Sequence, residues 1–225
     1  MAIAEARTLA HAPSLAASLA FGTHFHLRLG DPSASGELAD EVIAVAIDLG
    51  FPHWRAQGTI CRGWAKFKNG DVKEGMSLLR SGLGTYRATG AEQWMSEYLP
   101  LMASACEITG QVEEGLAFLD EGLEIVERTG ERWFEAELNR HKGQLLLRHR
   151  QPEAAEELYR KATSIAREQE AKLWELRAGV SLARLRRDQG RRAEAYDLLA
   201  PVYGWFTEGF DTPDLKDAKA LLDEL

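Results

Sequence analysis

A forty-residue beat runs through this sequence. Gly50, Gly90 and Gly130 are forty apart, as are Gly70 and Gly110. The same interval links Trp54, Trp94, Phe134 and Trp174, and again Gly63, Ala103, Gly143 and Ala183. Such a period means a supersecondary unit repeated in tandem, each copy burying its apolar face only against its neighbours. Within each copy apolar residues recur at three and four, and period-two alternation of Val, Ile and Thr is absent. The units are therefore helical, and no strand is expected.

Turn signals divide each copy into two helices. The unbroken register predicts a single helical-repeat domain over residues 1–225, with repeats at 14–50, 52–90, 91–130, 131–170 and 171–206. In the first repeat the helices run 14–29 and 36–49, around the turn Gly30-Asp31-Pro32-Ser33. The second pairs 52–68 with 72–88; Pro52 suits a first helical turn, and Asp71 with Glu74 has the spacing of a capping box. The third pairs 91–108 with 112–129, and Pro100 inside its first helix should kink it. The fourth pairs 132–148 with 152–168, where Arg150 and Glu170 stand in for turn glycines. The fifth pairs 172–188 with 191–206. A last helix at 213–225 has one apolar stripe and one charged face, as a terminal cap requires. Ala10 stands where Gly50 and Gly90 stand later, so residues 2–10 read as a remnant second helix. The chain then begins inside a repeat, as a piece of a longer polypeptide or behind a degenerate cap.

Bulk properties exclude several functions. A formal charge of −8 and a pI near 5.4 disfavour nucleic acid and anionic membrane as partners. No apolar run approaches the ~20 residues that span a bilayer. Residues 9–22 are rich in Ala and Leu, but Glu5, Arg7, His11 and Pro13 do not suit a signal peptide. Cys61 and Cys106 belong to no CxxC or Cys/His cluster and read as buried thiols of a cytoplasmic protein. His24 and His26, two apart on a helix, point to nearly opposite sides and cannot share a metal ion. No GxxxxGK[ST] loop and no catalytic triad spacing occurs, so neither a cofactor nor an enzymatic role is expected. The aromatic recurrence at Trp54, Trp94, Phe134 and Trp174 reads as a seam packing one repeat on the next.

The small residues form a second pattern. Gly63, Ala103, Gly143 and Ala183 on the first helices match Gly75, Gly115, Ala155 and Ala195 on the second. Leu79, Leu119, Tyr159 and Leu199 supply bulk four residues on, and Gly82, Gly122 and Ala162 are small again. A glycine inside a helix costs about 1 kcal/mol relative to alanine, so its repeated use implies close helix crossings. This small-large-small spacing resembles the tetratricopeptide repeat: counting Ala56 as first, Gly63, Gly75, Leu79 and Gly82 fall on the eighth, twentieth, twenty-fourth and twenty-seventh places. The family's unit is about 34 residues rather than forty, and Thr59 and Arg62 occupy its usual aromatic and leucine places. The resemblance implies an all-α, tetratricopeptide-like α-solenoid of five helical hairpins and a cap helix.

Particular strings, Gly58-Thr59-Ile60-Cys61-Arg62-Gly63-Trp64-Ala65, residues 129–138 and residues 187–215, resemble the C-terminal repeat region of bacterial signalling proteins that join a nucleotidyl cyclase and an ATPase domain to such repeats. That resemblance implies a protein-interaction or regulatory scaffold, with other domains of a parent chain as candidate partners. The tetratricopeptide pattern also implies a concave face lined by the first helices. By register its positions include His24, Arg28, Gln57, Trp64, Lys68, Glu97, Glu107, Glu137, Arg140, Gln144, Arg148, Arg177, Arg184 and Arg187. From 172 to 192 seven Lys and Arg face two acids. Two readings follow. The candidate partner site Trp64, Lys68, Arg140, Gln144, Arg148, Arg177, Arg184 and Arg187 holds a protein or an acidic peptide through paired arginine hydrogen bonds, or the arginines are balanced by residues 113–127 or by the acidic tail. A small-molecule sensor for an anionic ligand is the alternative function.

Overall fold

The computed structural model describes residues 2–225, and among them it contains twelve α-helices and no strand. A short helix α1 (Ala2–Thr8) precedes five hairpins. These are α2 (Ala12–Arg28) with α3 (Pro32–Asp48), α4 (Pro52–Lys68) with α5 (Val72–Ala88), α6 (Met95–Ile108) with α7 (Val112–Thr129), α8 (Glu135–Arg148) with α9 (Pro152–Glu168), and α10 (Lys172–Asp188) with α11 (Arg192–Tyr203). A final helix α12 (Pro213–Glu224) follows.

The turns share one device. Positive φ occurs at Ala10, Gly30, Gly50, Gly70, Gly90, Gly110, Gly130, Arg150, Glu170 and Gly190, one residue in every twenty. Each ends a helix in the left-handed conformation that lets the chain reverse and pairs otherwise orphaned carbonyls. Around Gly70, for example, Asn69 N–H donates to Ala65 O at 3.0 Å and Asp71 N–H reaches back to Lys66 O at 3.0 Å. Arg150 (φ 60°) and Glu170 (φ 54°) adopt this shape without glycine's freedom, as their place in the series demanded. The next helix starts from the same few residues. Asp31 accepts from Ala34 N–H at 3.1 Å and Asp71 from Glu74 N–H at 3.2 Å, while Pro32, Pro52 and Pro152 open α3, α4 and α9. Helix α3 therefore starts at Pro32, four residues before the sequence reading placed it.

The helices gather into two compact units, one ending at Trp94 and the other running from Met95 to Leu225. In the first, α2 packs on α3 and α4, and α4 on α5; Leu19, Ala20 and Val42 centre its first layer. In the second, the first helices α6, α8, α10 and α12 pack in series, and α7, α9 and α11 each bridge two of them. Leu119, Val126, Phe134, Leu138, Leu145 and Trp174 fill its middle, and Leu176, Leu199, Val202, Leu215 and Leu221 seat the cap helix.

Hairpin crossings fall where the small residues are. A Cβ at Gly63 would stand 2.7 Å from Leu79 N and 3.0 Å from Gly75 O, and one at Gly143 would stand 2.7 Å from a ring carbon of Tyr159. Ala103, Ala155, Ala183 and Ala195 are fully buried at the equivalent places. The helix backbones approach too closely at Gly63 to admit a methyl group, whereas a Cβ at the exposed Gly84 of α5 meets nothing within 4 Å. We expect Gly63→Ala to cost at least about 2 kcal/mol in denaturant unfolding through overpacking, and Gly84→Ala to gain about 1 kcal/mol from helix propensity alone. Equal effects at the two sites would refute the close-crossing account. Glu170→Gly should gain roughly 1 kcal/mol by relieving a left-handed glutamate.

Candidate functional site

The first helices of the second unit carry a continuous row of charge. Glu137, in the first turn of α8, is 1% exposed. Arg140 grips it from one turn on, with Nε donating to Oε1 at 2.6 Å and an Nη2 bond to Oε2 at 2.9 Å. Arg177 of α10 approaches the same carboxylate at 3.5 Å and donates through Nε and Nη2 to Asp214 of α12, at 2.9 and 2.7 Å. Gln144 donates to both oxygens of Glu107 on α6 at 3.2 Å, and Arg148 pairs with that same Glu107. Arg184 pairs with Asp217, and Arg187 with Glu224 and, at 3.0 Å, Asp188. Each contact joins a first helix to itself or to the first helix of the next repeat.

The arginines read from the sequence are thus brought onto one face, and each is met by a carboxylate of the chain. Balance comes from Glu107, Glu137 and the cap helix, which places three of its acids against three arginines of α10. Arg140 and Arg177 are largely buried, with side chains 14% and 19% exposed, whereas Arg148 and Arg184 are 63% and 45% exposed. Trp64 and Lys68 lie in the first unit. Trp64 is a core residue at 6% exposure, and Lys68 is exposed. The acids Asp214, Asp217 and Glu224 were visible only as a charged tail, because nothing in their spacing declares which arginine each will meet.

The aromatic series separates into two behaviours. In the second unit Phe134 and Trp174 meet edge to face, with centroids 5.3 Å apart, as a seam between repeats. In the first unit Trp94 turns back. Its φ is +67°, its indole stacks on His24 of α2 at 5.1 Å and meets Phe21 edge-on at 6.0 Å, and the Arg28 guanidinium lies 5.2 Å from its ring. This is why α6 begins at Met95 and not at residue 91. The preceding residues are spent on seating the indole, and Tyr86 Oη pins them by donating to Gln93 O. Phe134 likewise caps α8, which begins at Glu135 rather than 132.

Burial alone would raise the pKa of Glu137, but the charge and hydrogen bonds of Arg140, with the charges of Arg177 and His141, outweigh it and hold the carboxyl at about 2 against an ordinary 4.5. A carboxyl depressed on folding contributes stability that is whole above about pH 4.5 and is lost as pH falls toward 2. We expect Glu137→Gln to be less stable than the parent at pH 7. The gap in melting temperature between the two should narrow as pH drops through that window; a gap independent of pH would show the ion pairs to be inert.

Residues 96–168, which cover hairpins α6/α7 and α8/α9, match the tetratricopeptide repeat family. Solved structures share the fold over nearly the whole chain. The apo form of RapI aligns with a TM-score of 0.65 at 11% identity, over 92% of this chain and 80% of that one. BtubC (BKLC) from P. vanneervenii aligns with a TM-score of 0.61 at 16% identity, over 88% of each. A signal transduction ATPase with numerous domains and a tetratricopeptide repeat sensor, from Pyrococcus horikoshii, aligns with a TM-score of 0.56 at 12% identity, over 93% of this chain and 36% of that one. At such identities the likeness is one of fold. No curated relative matches the chain in sequence. The central hairpins match tetratricopeptide repeats, and the chain as a whole is an all-α helical-repeat protein with the tetratricopeptide-like solenoid fold.

Proposed function

We propose that this chain is a regulatory scaffold whose first-helix face in the second unit holds an acidic segment of a partner protein, or of another domain in a parent signalling chain. Tetratricopeptide repeats are in general non-catalytic modules that bind proteins or peptides. The observation that carries the finer reading is the unequal exposure along the arginine row. Arg140 and Arg177 are consumed by internal pairs. Arg148 and Arg184 are each held by one carboxylate while much of the guanidinium faces outward, and a guanidinium offers five N–H donors, more than one carboxylate uses. Such groups are pre-positioned, so a partner's carboxylate meets them with little side-chain ordering cost.

The bacterial cyclase and ATPase setting suggested by the sequence strings agrees in kind with the sensor-bearing ATPase from P. horikoshii. Cys61 and Cys106 are buried thiols outside any disulfide, in keeping with a reducing cytoplasm; among the described residues no helix is long and apolar enough to cross a membrane.

The second unit carries the whole net charge, with eighteen Lys and Arg against twenty-six Asp and Glu, while the first has nine of each. Attraction of an acidic segment therefore acts at contact range, through hydrogen bonds rather than a long-range field. Fluorescence anisotropy with a labelled ten-residue Asp/Glu-rich peptide tests this. Arg148→Gln combined with Arg184→Gln should weaken binding at least about tenfold, the loss of one or two charged hydrogen bonds, while lowering the melting temperature far less than a reversal at the buried Arg177. Arg177→Glu should instead lower the melting temperature sharply, since it faces Glu137 and Asp214 with a third carboxylate. Full peptide affinity in the double variant would overturn the proposed site.

A further inference from the structure

In the first unit, helix α2 leaves part of its length bare. Phe21 and Phe25, one turn apart, are 57% and 58% exposed, and two adjacent phenyl rings in water mark an interaction surface more often than a lone one does. Position in the repeat says what this rung ordinarily meets. At successive intervals of forty, the places equivalent to Phe25 are Ala65, Ala105, Leu145 and Leu185, and all four are buried. The second helix of the preceding hairpin covers three of them. A Cβ at Gly36 of α3 would stand 3.2 Å from Ala65 Cβ, one at Gly115 of α7 would stand 3.1 Å from Leu145 Cδ1, and Leu185 packs with Ala155 of α9. Gly36, Gly115 and Ala155 all lie in the first two turns of their helices.

Helix α1 takes that role for α2, placing Ile3 against Leu19, Ala20 and Val42. It spans seven residues, however, where α3 and α9 span seventeen. Its reach along α2 extends to Gly22, where a Cβ would stand 3.3 Å from Ile3 Cδ1. Phe25 lies three residues beyond. Helix α2 is also the least charged of the five first helices: Arg28 is its one formally charged residue, and that guanidinium lies against the Trp94 ring. A charged surface laid on such a face would lose hydration and find no partner. A second copy brings apolar rings and no like charge, which is the self-complementarity a two-fold contact requires. The last helix offers no comparable face. On the rung of Gly63, Ala103, Gly143 and Ala183, where a further helix would have to cross closely, α12 carries Asp223, exposed and paired with Lys219.

We propose that the bare part of α2 is a self-association surface, on which a second copy of this chain packs with the Phe21 and Phe25 rings of each against the same pair of the other. The contact extends the layer that α1 begins. Because the same patch serves both copies it closes on itself, giving a dimer and not a filament. It lies in the first unit and does not draw on the arginine row.

Light scattering and sedimentation of the full chain test this. The average mass should rise with concentration from 25.0 kDa toward twice that value, with a dissociation constant of roughly micromolar order for a small apolar contact. Raising the salt from about 0.1 to 1 M should leave the dimer intact, because apolar burial is not screened as ion pairs are. Phe21 also braces Trp94 edge-on, so the substitutions fall on Phe25. Phe25→Glu should give a monomer at every concentration, with helicity by circular dichroism unchanged. Phe25→Ala, which installs the residue that the second and third repeats carry at this place, should weaken association at least about tenfold, and decides alone should Phe25→Glu lose helicity. Arg148→Gln with Arg184→Gln should dimerise as the parent does. A parent chain still monomeric at about 0.5 mM, a dimer that dissolves in salt or is lost with the two arginines, or one that survives substitution of Phe25 would each overturn the proposal.

Discussion

One residue in every twenty must turn left. That requirement governs the rest, because a helix ends wherever the chain enters the left-handed region, and the next begins two residues later, or five where Trp94 and Phe134 intervene. Glycine meets it at most of the ten places, and alanine, arginine and glutamate meet it at the others. The strained exceptions show that the position outranks the residue. Neighbouring hairpins bury enough apolar surface to hold Arg150 and Glu170 where their own preferences would not.

Within that frame two kinds of contact do different work. Apolar layers of Leu, Val and aromatic side chains supply the undirected stabilisation of each unit. The row of carboxylates and guanidinium groups along α6, α8, α10 and α12 adds direction. A buried Glu137 is tolerable only because two arginines and a histidine surround it, and such pairs add little net stability while penalising any arrangement that separates them. They fix how one first helix sits against the next. The outward parts of the same guanidinium groups are what remains for another molecule.

Much of this was legible in the residues and some was not. Helix number, hairpin pairing, close crossings and the left-handed turns at Arg150 and Glu170 all follow from spacing, because backbone geometry repeats with the chain. Arg177, Arg184 and Arg187 could be placed on a first helix from register alone. Their partners could not: Asp214, Asp217 and Glu224 lie 33 to 37 residues away, and side-chain reach rather than backbone period decides such pairings. Trp94 was hidden by its own regularity. It occupies the same rung as Trp54, Phe134 and Trp174, and only its backbone angle reveals that it packs on α2. Pro32 was read as a turn residue although its fixed φ suits the first residue of a helix equally well.

The crossings also differ from one hairpin to the next in a graded way. Gly63 meets Gly75, Ala103 meets Gly115, Gly143 meets Ala155, and Ala183 meets Ala195, so the facing pairs hold none, one, one and two methyl groups. Copies that share a period therefore do not share a bore. A duplicated or transplanted repeat would keep step along the chain yet mate poorly with its new neighbours, which makes the order of the copies, and not only their number, an inherited property of this protein.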